Sequence, residues 1–299
     1  MLRTITNKAN LGNILELKAI HAIKSAKGRK YTGNCATVEM PKIRAALIDL
    51  SGTLHIDDQP TEGAVDALEK LRSLGITVKF VTNTTKESVS SLYTRLVKIG
   101  FQLEQKEICS SLIAASNYVK TNGLNPYYIV TDDARRDFPP HNSAREYDSV
   151  VIGLAPERFT YDFVNEAFRI LHQSKGTACL IAIHEGKYYK TKQGISIGPG
   201  CFVKGLEYST GIKSTCVGKP NKYFFWSALP EGFKPDECVM IGDDPNDDCL
   251  GAMAIGMQGF LVETGKYQPE LYTKDSLPQV SGIFKDFRSV VEHIANNCT

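Results

Sequence analysis

The 299-residue chain has no run of eighteen or more apolar residues, so no membrane span is expected. No apolar stretch of secretory type follows Met1. None of the eight cysteines (Cys35, Cys109, Cys179, Cys201, Cys216, Cys238, Cys249 and Cys298) forms a C-x-x-C pair. That argues against a zinc site, and without a signal peptide the eight read as reduced, mostly buried thiols. Charge of one sign is missing too: 35 Lys+Arg face 33 Asp+Glu, which removes any bulk electrostatic case for nucleic acid. There is no internal repeat and no Pro/Gly/Ser-rich linker. With 42% hydrophobic and 23% charged residues, low complexity, collagen and global disorder are excluded. The chain is long enough for one large domain or two modest ones with a sizeable core.

The near-neutrality conceals a split. Residues 1–36 hold Arg3, Lys8, Lys18, Lys24, Lys27, Arg29 and Lys30 against Glu16 alone, a net +6, so a chain of +2 leaves −4 for the rest. Spaced Leu11, Ile14, Leu15, Leu17, Ile20 and Ile23 fit an amphipathic transit peptide, which would imply mitochondria. Glu16 lies where such peptides avoid acids, so the reading preferred is a loosely docked extension, residues 1–40, on a cytoplasmic protein.

From there the pattern is regular. Ala45–Ile48 is short, apolar and unalternated, as a strand buried on both faces reads. Residues 61–74 have helical spacing (Val65, Leu68, Leu71, Leu74), closed by Gly75. Residues 76–81 read as a second strand and 86–99 as a second helix, stopped at Gly100. Near the end, 238–241 and 259–262 read as strands, with a helix from Asp248 to Ile255 between them. This rhythm predicts an α/β fold with a Rossmann-like parallel sheet. Between the halves, 127–130, 149–154 and 179–183 read as strands. Residues 158–172 (Phe163, Ala167, Ile170 and Leu171 inward) and 202–209 read as helices. The expected layout is a discontinuous core, 41–112 and 212–299, with an α/β domain, 113–211, inserted into it.

In an open parallel sheet, chemistry collects beyond the carboxyl ends of the strands. One predicted strand ends at Asp49, one at Thr82-Asn83 and one at Gly242-Asp243, while Lys219 opens the return to the core. Each alone is a common turn signal; together they suit a phosphoryl group. A carboxylate cannot approach a phosphoryl dianion unaided, so Mg²⁺ held by Asp49 and Asp243 would neutralise the repulsion and polarise an oxygen. Lys219 adds a fixed positive charge. The Thr82 hydroxyl and the N–H groups around Leu50, Ser51 and Asn83 would cradle the oxygens. Asp248 would orient Lys219 or a metal-bound water.

The pattern resembles the haloacid dehalogenase (HAD) superfamily of phosphohydrolases from about residue 41 onward. Its four motifs are matched by residues 47–54 (LIDLSGTL), by 80–83 (FVTN), by Lys219 and by 242–248 (GDDPNDD). The resemblance implies that Asp49 is the nucleophile and forms an aspartyl-phosphate. It implies Mg²⁺ held by the Asp49 carboxylate, the Ser51 backbone carbonyl and Asp243. From Thr82 to Lys219 is 137 residues, where a βαβ crossover needs about thirty. In HAD terms this excess looks like a type II (C2) cap of the IIA branch, which would close over the site and select a small phosphorylated substrate.

One departure matters. Most HAD phosphatases carry Asp two residues after the nucleophile as general acid/base, and here Ser51 stands there. A serine hydroxyl supplies no proton near neutral pH, a loss of about 10²–10⁴-fold for poor leaving groups. The expected bias is toward pyrophosphate, aryl phosphate or a protonated P–N bond. The alternative is a protein that binds phosphorylated ligands with little or no turnover, in a scaffolding role or as a homodimer.

Other residues carry less. His184 and Glu185 end a cap strand and either face substrate or form a surface hairpin. His55 reads as an exposed loop residue, and Arg135-Arg136 as a solvated face. Tyr188-Tyr189 and residues 223–226 (YFFW) read as packing; without a basic stripe beside them, RNA binding is not expected.

Overall fold

The computed structural model describes residues 43–191, 194–268 and 280–297. The basic segment 1–36, with Cys35, and Cys298 lie outside the described residues. The chain lays down β1 (Ala45–Ile48), β2 (Thr77–Thr82) and β3 (Ile108–Ser110), then β4 (Pro126–Ile129), β5 (Ser149–Ile152), β6 (Cys179–Ala182) and β7 (Ser214–Cys216). It returns with β8 (Cys238–Gly242), β9 (Gln258–Val262) and β10 (Gly282–Phe284). One sheet has the order β10-β9-β8-β1-β2-β3, the other β7-β6-β5-β4. Every pairing in both is parallel. The chain is therefore α/β, with a second parallel sheet inserted in sequence between the strands of the first. β7 lies just past position 211, where the sequence reading ends the insertion.

The main helices are α1 (Ala64–Ser73), α2 (Val89–Ile99), α3 (Ser111–Thr121), α4 (Tyr161–Gln173), α5 (Gly200–Thr210), α6 (Lys222–Ala228) and α7 (Phe287–Asn297). Successive side chains of a strand point to opposite faces, so β1 needs apolar residues throughout. Ala46 and Ile48 pack with Leu68 and Leu71 of α1 and with Val290, Val291 and Ile294 of α7. Ala45 and Leu47 pack with Phe224 and Phe225 of α6 on the other face. Each of the larger buried side chains, Val, Leu, Ile or Phe, contributes about 1.5–3 kcal/mol. This two-sided burial fixes the central strands, and with them whatever their ends carry. The second sheet is built alike: Val150, Ile152 and Leu180 meet Ala167, Leu171 and Val203 of α4 and α5, while Val151 and Ile181 meet Leu112, Ala115 and Val119 of α3.

Some expectations need correcting. Asp248–Ile255 is not one helix. A wide π-type segment, Pro245–Leu250, capped by Asp244, which accepts from the N–H of both Asn246 and Asp247, is followed by a single turn, Gly251–Met253. Within α4, Ala167 and Leu171 are buried, whereas Phe163 takes the Arg158 guanidinium over its ring at 5.5 Å. The six described cysteines are free, but only Cys238 and Cys249 are buried, and Cys179 and Cys201 are exposed. Among the described residues, no helix is long and apolar enough to cross a membrane.

Candidate active site

The centre of the first sheet places the site. In the register of β1, Ile48 lies opposite Ile241 of β8 and Phe80 of β2, and the Asp49 N–H donates to Ile241 O at 2.8 Å. The residues just past these three adjacent strands therefore emerge together. Asp49 opens a tight turn in which Leu54 N donates to Leu50 O at 2.9 Å and Gly52 N to His55 O at 2.8 Å. The turn bonds use the carbonyls of Leu50 and His55 and not that of Ser51. Gly52 has φ +96, and a Cβ there would lie 2.0 Å from Asp243 Oδ2. Only glycine lets the turn approach that carboxylate so closely.

Lys219 reaches this point from the far side of the insertion. Its ammonium donates to Asp49 Oδ1 at 2.5 Å, Asp248 Oδ1 at 2.6 Å and Val81 O at 3.3 Å. All three side chains are almost wholly buried. Burial alone would lower the lysine's pKa, but Asp248 and Asp49 outweigh it and hold the ammonium protonated above its ordinary range. Asn83 positions the lysine: its Oδ1 accepts from Lys219 N at 3.0 Å and its Nδ2 donates to Lys219 O at 3.1 Å. That leaves Asn83 its backbone N–H and the second Nδ2 hydrogen to offer a phosphate. The Thr82 hydroxyl oxygen accepts from Thr84 N at 3.1 Å.

Asp243 completes the cluster. Its Oδ2 accepts from Lys266 N at 2.7 Å, and Asp248 Oδ2 accepts from Asp244 N at 3.1 Å. Asp49, Asp243 and Asp248 each bring an oxygen within 4.8 Å of the others. Burial, and then the charge of Asp49, raises the Asp243 carboxyl above its ordinary value. A buried, oxygen-only donor set with surplus negative charge suits a hard divalent cation such as Mg²⁺. The residues present fit that ion.

Asp49, Ser51, Thr82, Asn83, Lys219, Asp243 and Asp248 all line one cavity of about 370 Å³. Tyr188 and Tyr189 line it too, beyond the packing role expected of them, and the Lys86 ammonium lies over the Tyr189 ring at 4.2 Å. His184 and Glu185 part ways. His184 lines the cavity, its Nδ1 accepting from Gly186 N at 3.2 Å and its Nε2 lying 3.5 Å from Thr85 Oγ1. Burial, with Lys266 and Lys219 adding to it, lowers the imidazole to about 4. Glu185 instead accepts from Ser214 Oγ at 2.6 Å and pairs with Lys204 at 2.8 Å. His55 is buried, not exposed: a two-residue hairpin folds it under, with Nδ1 2.8 Å from Asp57 O. Arg135 stacks over Tyr128 and Arg136 pairs with Asp133, both away from the cavity. Of residues 223–226, Phe224 and Phe225 are core and Tyr223 and Trp226 are half exposed. Lys266, absent from the sequence reading, lines the cavity as well. Its signal is Thr264-Gly265-Lys266, just past the end of β9.

A family model described as haloacid dehalogenase-like hydrolase matches residues 46–141, and one described as HAD-hydrolase-like matches residues 216–290. Haloacid dehalogenase-like hydrolase domain-containing protein 2 of Bos taurus is 50% identical over 227 residues, which cover 76% of this chain and 86% of that protein. Phospholysine phosphohistidine inorganic pyrophosphate phosphatase of Xenopus laevis is 37% identical over 233 residues, 76% of this chain and 86% of that protein. Among solved structures, a glycerol phosphate phosphatase from Mycobacterium tuberculosis in complex with magnesium matches with a TM-score of 0.72 at 25% identity, covering 85% of this chain and 79% of that one.

Proposed function

The chain belongs to the haloacid dehalogenase-like hydrolase family, and on that premise we propose that it is a Mg²⁺-dependent phosphohydrolase acting through an aspartyl-phosphate on small phosphorylated substrates. The observation that carries this reading is the Asp49 carboxylate on the cavity wall, with Oδ1 tied to Lys219 at 2.5 Å and Asp243 within 4.8 Å. Asp49, the Ser51 carbonyl and Asp243 would hold Mg²⁺, which when bound neutralises charge and polarises a phosphoryl oxygen.

Lys219 anchors one Asp49 oxygen, which leaves Oδ2 to attack. A bond forms from that oxygen to phosphorus, and the bond from phosphorus to the leaving group breaks with its electron pair going to the leaving group. Water then attacks phosphorus, the Asp49–phosphorus bond breaks, and the carboxylate is restored as phosphate departs. Asp248 and Asn83 keep Lys219 in place throughout. The Thr82 hydroxyl and the N–H groups of the Asp49 turn receive the phosphoryl oxygens. The inserted part, 113–211 with β7, acts as a cap that limits water and selects the substrate.

Ser51 sets the substrate bias. It is exposed, and its hydroxyl cannot protonate an alkoxide near neutral pH. Leaving groups stable on their own are favoured: pyrophosphate, aryl phosphate and protonated phosphoamides. The substrates in the name of the Xenopus laevis relative agree with that bias. Ser51 also supports a second reading, a phospho-ligand-binding protein with weak turnover. Steady phosphate release that needs Mg²⁺ and falls at least about 10³-fold in Asp49→Asn establishes the enzyme. Binding without release supports the second reading.

A further inference from the structure

Lys219 has no donor left for a substrate. Its three N–H bonds end on Asp49, Asp248 and Val81, and an ammonium has only three. Lys266 is differently placed. Its backbone N–H is tied to Asp243 Oδ2 at 2.7 Å. The preceding Gly265, at φ +59, lies so close to the catalytic turn that a Cβ would be 2.5 Å from Gly52 Cα. The Lys266 backbone is thus held against the site. Its ammonium is half exposed, and among the described residues it meets only Asp244 Oδ2, at 3.5 Å. His184 lines the same cavity. Because Nδ1 accepts from Gly186 N, the neutral ring carries its proton on Nε2. Its partner Thr85 Oγ1 is distant, at 3.5 Å, and already accepts from Leu154 N at 3.0 Å.

We propose that Lys266 from the core and His184 from the cap form a second anion subsite, which takes the departing phosphate of a pyrophosphate. This deepens the phosphohydrolase reading and rests on it. When the bridging P–O bond breaks, its electron pair stays on the bridging oxygen and the leaving orthophosphate gains that charge. One ammonium and one neutral N–H meet it there. The charge that Ser51 cannot neutralise by protonation is received electrostatically. An aryl phosphate presents no second anion to the subsite.

The test compares kcat/KM for inorganic pyrophosphate and p-nitrophenyl phosphate in the full chain with Mg²⁺. Lys266→Met should lower the pyrophosphate value by about 10- to 100-fold, at least tenfold more than the aryl phosphate value. Lys266→Arg should restore most of the loss, and His184→Phe should act in the same direction by less. Equal losses on both substrates, or an unaltered pyrophosphate value, overturn the subsite. If the unaltered chain turns over neither substrate, the phosphohydrolase reading fails separately. Calorimetry on Asp49→Asn protein then still decides the subsite: pyrophosphate should bind more tightly than orthophosphate, and Lys266→Met should erase the difference. Retention of the preference in that variant contradicts the proposal.

Discussion

The two parallel sheets send the ends of their strands to one cavity and bring different chemistry to it. In the core sheet, β1, β2 and β8 end at Asp49, at Thr82-Asn83 and at Asp243, all on the cavity wall. In the inserted sheet, β5 is followed by Gly153-Leu154 and β6 by Ile183-His184, and the wall receives Leu154 and His184. β7 leads through Val217-Gly218 to Lys219. One architecture thus serves two purposes. The core gathers a buried carboxylate cluster, and the insertion supplies apolar and neutral surface with a single lysine delivered across. Where burial holds like charges together, activity and stability are coupled. Where the wall is neutral, selectivity can change at little cost to the fold.

The sharpest contrast is therefore a substitution on each side. Lys219→Met leaves Asp49 and Asp248 without their buried counter-charge, which should cost about 3–5 kcal/mol in metal-free urea unfolding and remove phosphate release. Mg²⁺ should recover part of the stability and none of the turnover. If Lys219→Met unfolds at the same urea concentration as the parent chain, the buried charge cluster is not what distinguishes the core.

Ser51→Asp tests chemistry without moving the fold. A carboxyl two residues after the nucleophile should raise turnover of alkyl phosphates relative to pyrophosphate by at least about tenfold. An unchanged substrate ratio contradicts the leaving-group account.

The cap side should show its smaller effect in pH. The His184 imidazole is held at about 4 against an ordinary 6.5. Between these values the unfolded chain binds a proton that the folded chain does not, so stability is complete above about pH 6.5 and declines as pH falls toward 4. His184→Gln should remove about 3 kcal/mol of that decline, measured as the unfolding midpoint against pH. A parallel pH profile in the variant would place the titration elsewhere.

The same contrast explains what is legible in the sequence. Asp49 and Asp243 stand out because each follows a short apolar run that a doubly buried strand explains, and Thr82 because it closes a strand of alternating burial beside them. Lys219 stands out because it reopens the core after a long insertion. Lys266 does not, since β9 ends at Val262 and the lysine comes four residues on, brought back by the Gly265 turn. β3, β7 and β10 have three residues each, too few to show a period, and β7 is only partly buried. His55 misleads because loop position says little about burial when a two-residue hairpin folds the ring under. The helix expected from Asp248 fails for a local reason: a Cβ on Gly242 would lie 2.2 Å from Asp248 Oδ2, so the carboxylate fills the space the glycine leaves and the chain widens to put it there.

The central claim is that Asp49, held between Lys219 and Asp243, receives the phosphoryl group. It is tested most directly by acid-quenching the enzyme during turnover of a substrate radiolabelled in the transferred phosphoryl group and mapping the labelled peptide. The label should sit on the peptide containing Asp49, require Mg²⁺, and vanish in Asp49→Asn. Continued turnover with no label on that peptide, or label on another residue, contradicts the account.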